Sequence, residues 1–142
     1  MLVDKLTAQG TTGLSITSES DIVACRKVIR DLTTQLGFGM TDVTRIVTSV
    51  SELARNVYVH AKAGEMRWNS LRSPGKIGIE IIFEDSGPGI ADINQALEPG
   101  FSTAKSMGMG LPGVKKLMDE LEIVSVDGKG TLVKVKKWAK VK

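Results

Sequence analysis

Cysteine and histidine occur once each in this sequence, as Cys25 and His60. A lone cysteine excludes an intramolecular disulfide, and the two residues together are too few for a dedicated His/Cys metal site. Cys25 falls among the apolar positions of a helical pattern, so it is read as a core side chain in preference to a reactive thiol. Aromatic residues make up only 4% of the chain, which leaves the core to aliphatic side chains. No apolar run approaches the roughly 18 residues of a membrane span. Residues 1–10 carry charges where a signal peptide has its apolar stretch, so a cytoplasmic protein with no membrane partner is expected.

What is present is ordinary for a globular protein: 142 residues, 42% hydrophobic and 25% charged. That length predicts a single domain over residues 1–142, with any second module supplied by a partner. The net charge is +3, but Lys134, Lys136, Lys137, Lys140 and Lys142 crowd the final residues. They are read as a solvated edge strand and tail, ahead of a surface for an acidic protein. No aromatic interleaving or nucleic-acid motif accompanies them, and no nucleic-acid partner is expected.

Periodicity divides the chain into elements. A short alternating run at 14–17 predicts an opening strand. Ser18 or Ser20 is placed to cap a helix that begins near Asp21 and carries the stripe Ile22, Cys25, Ile29, Leu32 and Leu36. Gly37-Phe38-Gly39 ends it, and Thr41 or Asp42 opens a second helix with Ile46, Val50, Leu53 and Val57 on its apolar face. Residues 65–71 read as a strand, Ser73-Pro74-Gly75 as a turn, and Ile77, Ile79, Ile81 and Phe83 as the buried face of a second strand. From Asp85 to about Gly108 periodicity fades into a long functional loop, with a short helix around 93–97. Leu111, Val114, Leu117, Met118 and Leu121 define a third helix. Strands at 122–126 and 131–138 close the chain around the turn Asp127-Gly128-Lys129-Gly130. This order predicts an α+β two-layer sandwich, one mixed and mostly antiparallel sheet with its helices on one face.

Three stretches carry chemistry. On the second helix Arg45, Ser49, Glu52 and Asn56 recur at steps of four, three and four, forming a polar line beside the apolar stripe. Taken alone, such a line is most simply a solvated face. Asp85-Ser86-Gly87-Pro88-Gly89 leaves the end of a strand with a carboxylate able to accept from an exocyclic amine and two glycines that let backbone approach a flat ligand. The same residues are also ordinary turn chemistry. Gly108-Met109-Gly110-Leu111-Pro112-Gly113 runs into the third helix, whose free amides suit a phosphate, with Pro112 in the first turn. It fits neither the dinucleotide fingerprint nor the Walker pattern.

Taken in order, Glu52-Leu53-Ala54-Arg55-Asn56, Glu84-Asp85-Ser86-Gly87-Pro88-Gly89-Ile90, Gly100-Phe101-Ser102-Thr103 and Gly110-Leu111-Pro112-Gly113-Val114-Lys115 resemble the boxes of the Bergerat or GHKL ATPase and kinase superfamily. Within it they look like the RsbT-type serine/threonine switch kinases of the stressosome, relatives of the anti-sigma factor kinases. The resemblance spans nearly the whole chain. It implies ATP and Mg2+ as cofactors, with Asn56 as the Mg2+ ligand and Glu52 as the general base toward a substrate hydroxyl. Asp85 would bind the adenine amine, Gly87 and Gly89 would shape its loop, and Thr131 would reach the adenine through water. Ser102, Thr103, Gly108 and Gly110 would belong to the lid and the phosphate cradle, with Lys105 beside them and His60 at the helix end near the phosphates. The implied partners are STAS-domain proteins like RsbS and RsbR as substrates, then an RsbU-like phosphatase to activate. The alternatives are an anti-sigma factor kinase that sequesters a sigma factor, or a nucleotide-gated binding protein with little kinase activity.

Overall fold

The computed structural model describes residues 12–89, 110–126 and 128–141. The chain opens with strand β1 (Thr12–Ile16) and passes into helix α1 (Glu19–Leu36). Ser18 is the cap: its hydroxyl accepts the Asp21 amide, while the Asp21 carboxylate accepts the Thr17 amide at 2.9 Å. The two hydrogen bonds from Thr17 hold that carboxyl below its ordinary range. Gly37 ends the helix in the left-handed conformation, and its amide reaches back to the last-turn carbonyls. Helix α2 (Met40–Ala61) then starts on Gly39, with no side-chain cap, one or two residues ahead of the expected Thr41 or Asp42.

Strands β2 (Gly64–Ser73) and β3 (Lys76–Asp85) pair as a hairpin in which Ser73 faces Lys76 across Pro74-Gly75. Helix α3 (Gly110–Leu117) is followed by β4 (Glu120–Val126) and β5 (Gly130–Lys140). Leu121, expected on the third helix, lies on β4 instead, because the helix stops at Leu117 and the strand begins two residues before the predicted 122. The short helix expected at 93–97 lies outside the described residues.

The five strands run β1-β2-β3-β5-β4, and each of the four pairings is antiparallel. Side chains alternate across the sheet. Ile16, Met66, Ile79, Ile81, Phe83, Val133 and Val135 face the helices and join Cys25, Ile29, Ile46, Val50, Leu53, Val57 and Val114 in one core. Cys25 is fully buried there, and desolvation pushes its thiol up to about 11, which leaves a packing side chain and not a nucleophile.

The opposite, open face is held by charge. Arg67 lies between Glu65 (2.6 Å) and Glu84 (3.2 Å), with Arg67 and Glu84 both buried. Lys134 pairs with Glu122 and Lys136 with Glu80 across neighbouring strands. The Trp138 ring covers Gly78, where any side chain would collide with it, and the Trp138 indole donates to Glu120. Val133, Val135, Lys137 and Ala139 have the inward parity, so the closing lysines are divided between the two faces. Lys137 in particular is 8% exposed, in contrast to the solvated strand expected of it.

Candidate functional site

Among the described residues, helix α3 lies along one half of helix α2. At the start of α3 the Gly110 amide donates to the Glu52 carboxylate at 3.2 Å. At its end the Leu117 carbonyl accepts from Lys137, whose ammonium lies 4.0 Å from Asp42, near the start of α2. Helix α3 therefore runs antiparallel to α2 over the half from Glu52 back to Asp42. Ten residues of α2 rise about 15 Å and the eight of α3 about 12 Å, so the two spans match. The N-terminus of α3 meets α2 at Glu52, and the other half of α2 runs on from there to Ala61.

This geometry divides the polar line. Ser49 is fully buried, and its hydroxyl bonds back to the Arg45 carbonyl at 3.0 Å. Arg45 is paired with Asp42 at 3.3 Å. Glu52 and Asn56 lie one turn apart on α2, Glu52 at the start of α3 and Asn56 beyond it, half-buried. Glu52 is 9% exposed with its carboxylate at a helix N-terminus, a position where backbone amides and the helix dipole favour an anion.

The far end of the other half of α2 meets the loop after β3. Gly87 sits against the last turn of α2, where an added Cβ would meet the Ala61 side chain, and Gly89 has φ +81 with its open side against the Val126 carbonyl. Both glycines are required by backbone approach within the protein. Asp85 ends β3 opposite Thr131 of β5, and its carboxylate accepts the Gly87 amide at 2.9 Å. Burial raises the Asp85 carboxyl above its ordinary range, the amides of Gly87 and Thr131 and the charge of His60 opposing that rise. His60 is exposed on the last turn of α2, the end of the helix that meets the loop after β3 and not the part at Gly110.

Thr131 shares a hydrogen bond with Ser125 at 3.1 Å, and Ser125 is a neighbour that sequence reasoning did not single out. The signal was there: Leu121, Ile123 and Ser125 alternate onto one face of β4. Lys137 was missed for the same reason on β5. Ser102, Thr103, Lys105 and Gly108 lie outside the described residues. Among the described residues a hollow of about 500 Å3 lies where the loop after β3 meets β4 and β5; its lining includes Asp85, Ser86 and Thr131 together with Val124, Val126 and Leu132, and neither Glu52 nor Asn56.

Residues 16–137 match the family model described as a histidine kinase-like ATPase domain. The chain is 50% identical to the serine/threonine-protein kinase RsbT of Bacillus subtilis (strain 168) over 123 residues, 87% of this chain and 92% of that one. The chain belongs to the histidine kinase-like ATPase family, in its branch of RsbT-type serine/threonine kinases. The anti-sigma F factor of Thermoanaerobacter sp. (strain X514) is 38% identical over 119 residues, 80% of this chain and 82% of that protein.

Solved structures agree on the fold. The RsbU and RsbW domains of Rv1364c from Mycobacterium tuberculosis match with TM-score 0.59 at 19% identity, over 89% of this chain and 32% of that one. The SiaB-SiaC complex from Pseudomonas aeruginosa gives a chain with TM-score 0.60 at 9% identity, covering 97% of this RsbT-type chain and 96% of that one. The α+β architecture read from the sequence is that of these relatives.

Proposed function

We propose that this RsbT-type kinase transfers the γ-phosphoryl group of ATP to a serine or threonine hydroxyl of a STAS-domain partner like RsbS or RsbR. It then leaves that partner and activates an RsbU-like phosphatase, as a cytoplasmic switch in a stress response. The observation that carries the reading is the contact between Glu52 and the Gly110 amide. It brings a carboxylate fit to accept a proton to the helix terminus fit to hold a phosphate.

Each residue then has a task. Asp85 accepts the adenine amine at the far end of the cleft, with Gly87 and Gly89 fixing its loop and Thr131 completing the adenine end. Gly110, with Ser102, Thr103 and Gly108 of the preceding segment, would hold the phosphates. A phosphate oxygen arriving at the Gly110 amide would take the hydrogen bond that Glu52 accepts in its absence. The freed carboxylate would then accept the proton of the substrate hydroxyl.

Asn56 offers one hard amide oxygen, and among the described residues no group of three or more acidic or histidine side chains forms a protein-only cage. That donor set suits Mg2+, which takes its remaining ligands from phosphates and water. When bound, Mg2+ would neutralise phosphate charge during transfer. The identity to an anti-sigma F factor supports a second reading, sigma-factor sequestration, less strongly than the 50% identity supports the first.

The test is transfer of γ-32P from ATP to a purified STAS-domain partner, with Mg2+, by wild type and Glu52→Gln. Label on serine or threonine is expected from wild type only, with a loss of about 100-fold or more in the variant, the scale of a general base. Asn56→Ala is expected to weaken ATP binding itself. Stable complex formation without transfer by wild type would replace the kinase reading with a nucleotide-gated binding protein.

A further inference from the structure

Position 137 is one where the alternation of β5 asks for an apolar side chain and the sequence supplies lysine. Lys137 pairs in register with Ile79, and Val133, Val135 and Ala139 share its inward parity. Its side chain therefore enters the layer between sheet and helices. An ammonium there is unfavourable unless acceptors replace its water. Lys137 finds them together: the Leu117 carbonyl at 3.0 Å, Asp119 Oδ1 at 3.3 Å and Asp42 Oδ1 at 4.0 Å.

Leu117 is the last residue of α3. Final carbonyls of a helix lack partners within it and carry the negative end of its dipole, so Lys137 caps α3 from the neighbouring strand. The exit from the helix is tied to the same place, since the Asp119 amide donates to the Lys136 carbonyl at 2.9 Å. At the other end the Gly110 amide meets Glu52. Eight residues are too few to make a stable helix alone, so the position of α3 is set by what grips it.

We propose that Lys137 is a positioning residue for the kinase reaction. By fixing the C-terminus of α3 against β5 and the start of α2, it sets where the N-terminal amides of α3 meet the phosphates of ATP, about 12 Å away along the helix and without touching the nucleotide. The inference rests on the reading of that N-terminus as the phosphate site. A helix displaced by about 1 Å at such a site is enough to degrade binding and alignment.

The test compares wild type, Lys137→Met and Lys137→Arg in steady-state phosphorylation of the STAS-domain partner, with hydrogen exchange of the α3 amides measured alongside. Lys137→Met is expected to raise the KM for ATP about tenfold, leave the KM for the protein partner unchanged, and speed exchange in α3 without speeding it in α1, the arginine variant recovering most of the loss. A purely structural role would lower the active fraction, and so kcat and Tm, at unchanged KM for ATP; that result overturns the inference. If Lys137→Met does not fold, Asp119→Asn removes one exposed acceptor and keeps the lysine on Leu117. A smaller rise in the same KM is then expected, and no rise overturns the inference. Wild type that transfers no phosphate overturns the underlying kinase reading, and the inference falls with it; active wild type with an unaltered Lys137→Met overturns the inference alone.

Discussion

Asp85 shows how a carboxylate assigned to a ligand site by the proposed function carries a cost to stability. Its carboxylate is half-buried, and desolvation, the largest influence on it, raises its pKa above the ordinary 3.8. A folded-state pKa above the unfolded one means the native protein holds the proton longer. Stability therefore falls as pH rises from about 3.8 through the raised value, and the full penalty persists above it. Asp85→Asn removes the ionisation, so without nucleotide the stability of the variant relative to wild type should grow across that window and then level off. Denaturant unfolding from pH 3.5 to 7 measures it, and a wild type that gains on the variant with rising pH contradicts the assignment. The same substitution should weaken ATP binding, because the adenine amine loses a charged acceptor. Glu52 is the complementary case, a carboxylate satisfied in the free protein by the amide that a phosphate would later use.

Among the elements, the hairpin of β2 and β3 depends on a charge group that hydrophobic periodicity does not reveal. Arg67 has 4% side-chain exposure and Glu84 8%, each beside the other on the open face of the sheet. Removing one member of a buried pair leaves the other uncompensated, so Arg67→Met should cost about 3 kcal/mol. Equilibrium urea unfolding reads this directly; a cost below about 1 kcal/mol would place the pair among solvent-screened ones. Glu84 precedes Asp85, so the variant should also disturb Asp85 before it disturbs Glu52. Helix α3 stands at the other extreme. It is short, and besides the packing of Leu111 and Val114 in the core its two ends are held by Lys137 and Glu52, which lie 85 positions apart in a chain of 142.

For the molecule as a whole, nucleotide should act as a brace. The residues that the proposed function assigns to nucleotide lie on α2, at the end of β3 and at the start of α3, three parts that meet only in the folded state. Ligand that binds the native state alone stabilises it by about 2.7 kcal/mol at 100 times its Kd. Mg2+·ATP should therefore raise the Tm of wild type and of Glu52→Gln, and raise that of Asp85→Asn far less at equal concentration. Thermal unfolding with and without nucleotide checks this, and an equal shift in all three proteins would remove Asp85 from the adenine contact.

The order of elements was legible in the sequence because each carries a local signal. The stripe Ile46, Val50, Leu53 and Val57 marks α2, the alternation Ile77, Ile79, Ile81 and Phe83 marks β3, and Gly37 marks the end of α1. The motif residues were legible too, since Glu52 and Asn56 share one helix face by spacing alone. Local signals do not carry a partner's position. Arg45 and Ser49 share that spacing, yet Arg45 is exposed and Ser49 fully buried, and only the tertiary fold separates members of the line in this way. Lys137 belongs with Val133 and Val135 by strand parity, but its company of charged neighbours in sequence disguised this. A lysine is placed by the acceptors that can replace its water, and those acceptors, the end of α3 and Asp42, are assembled only when the chain has folded.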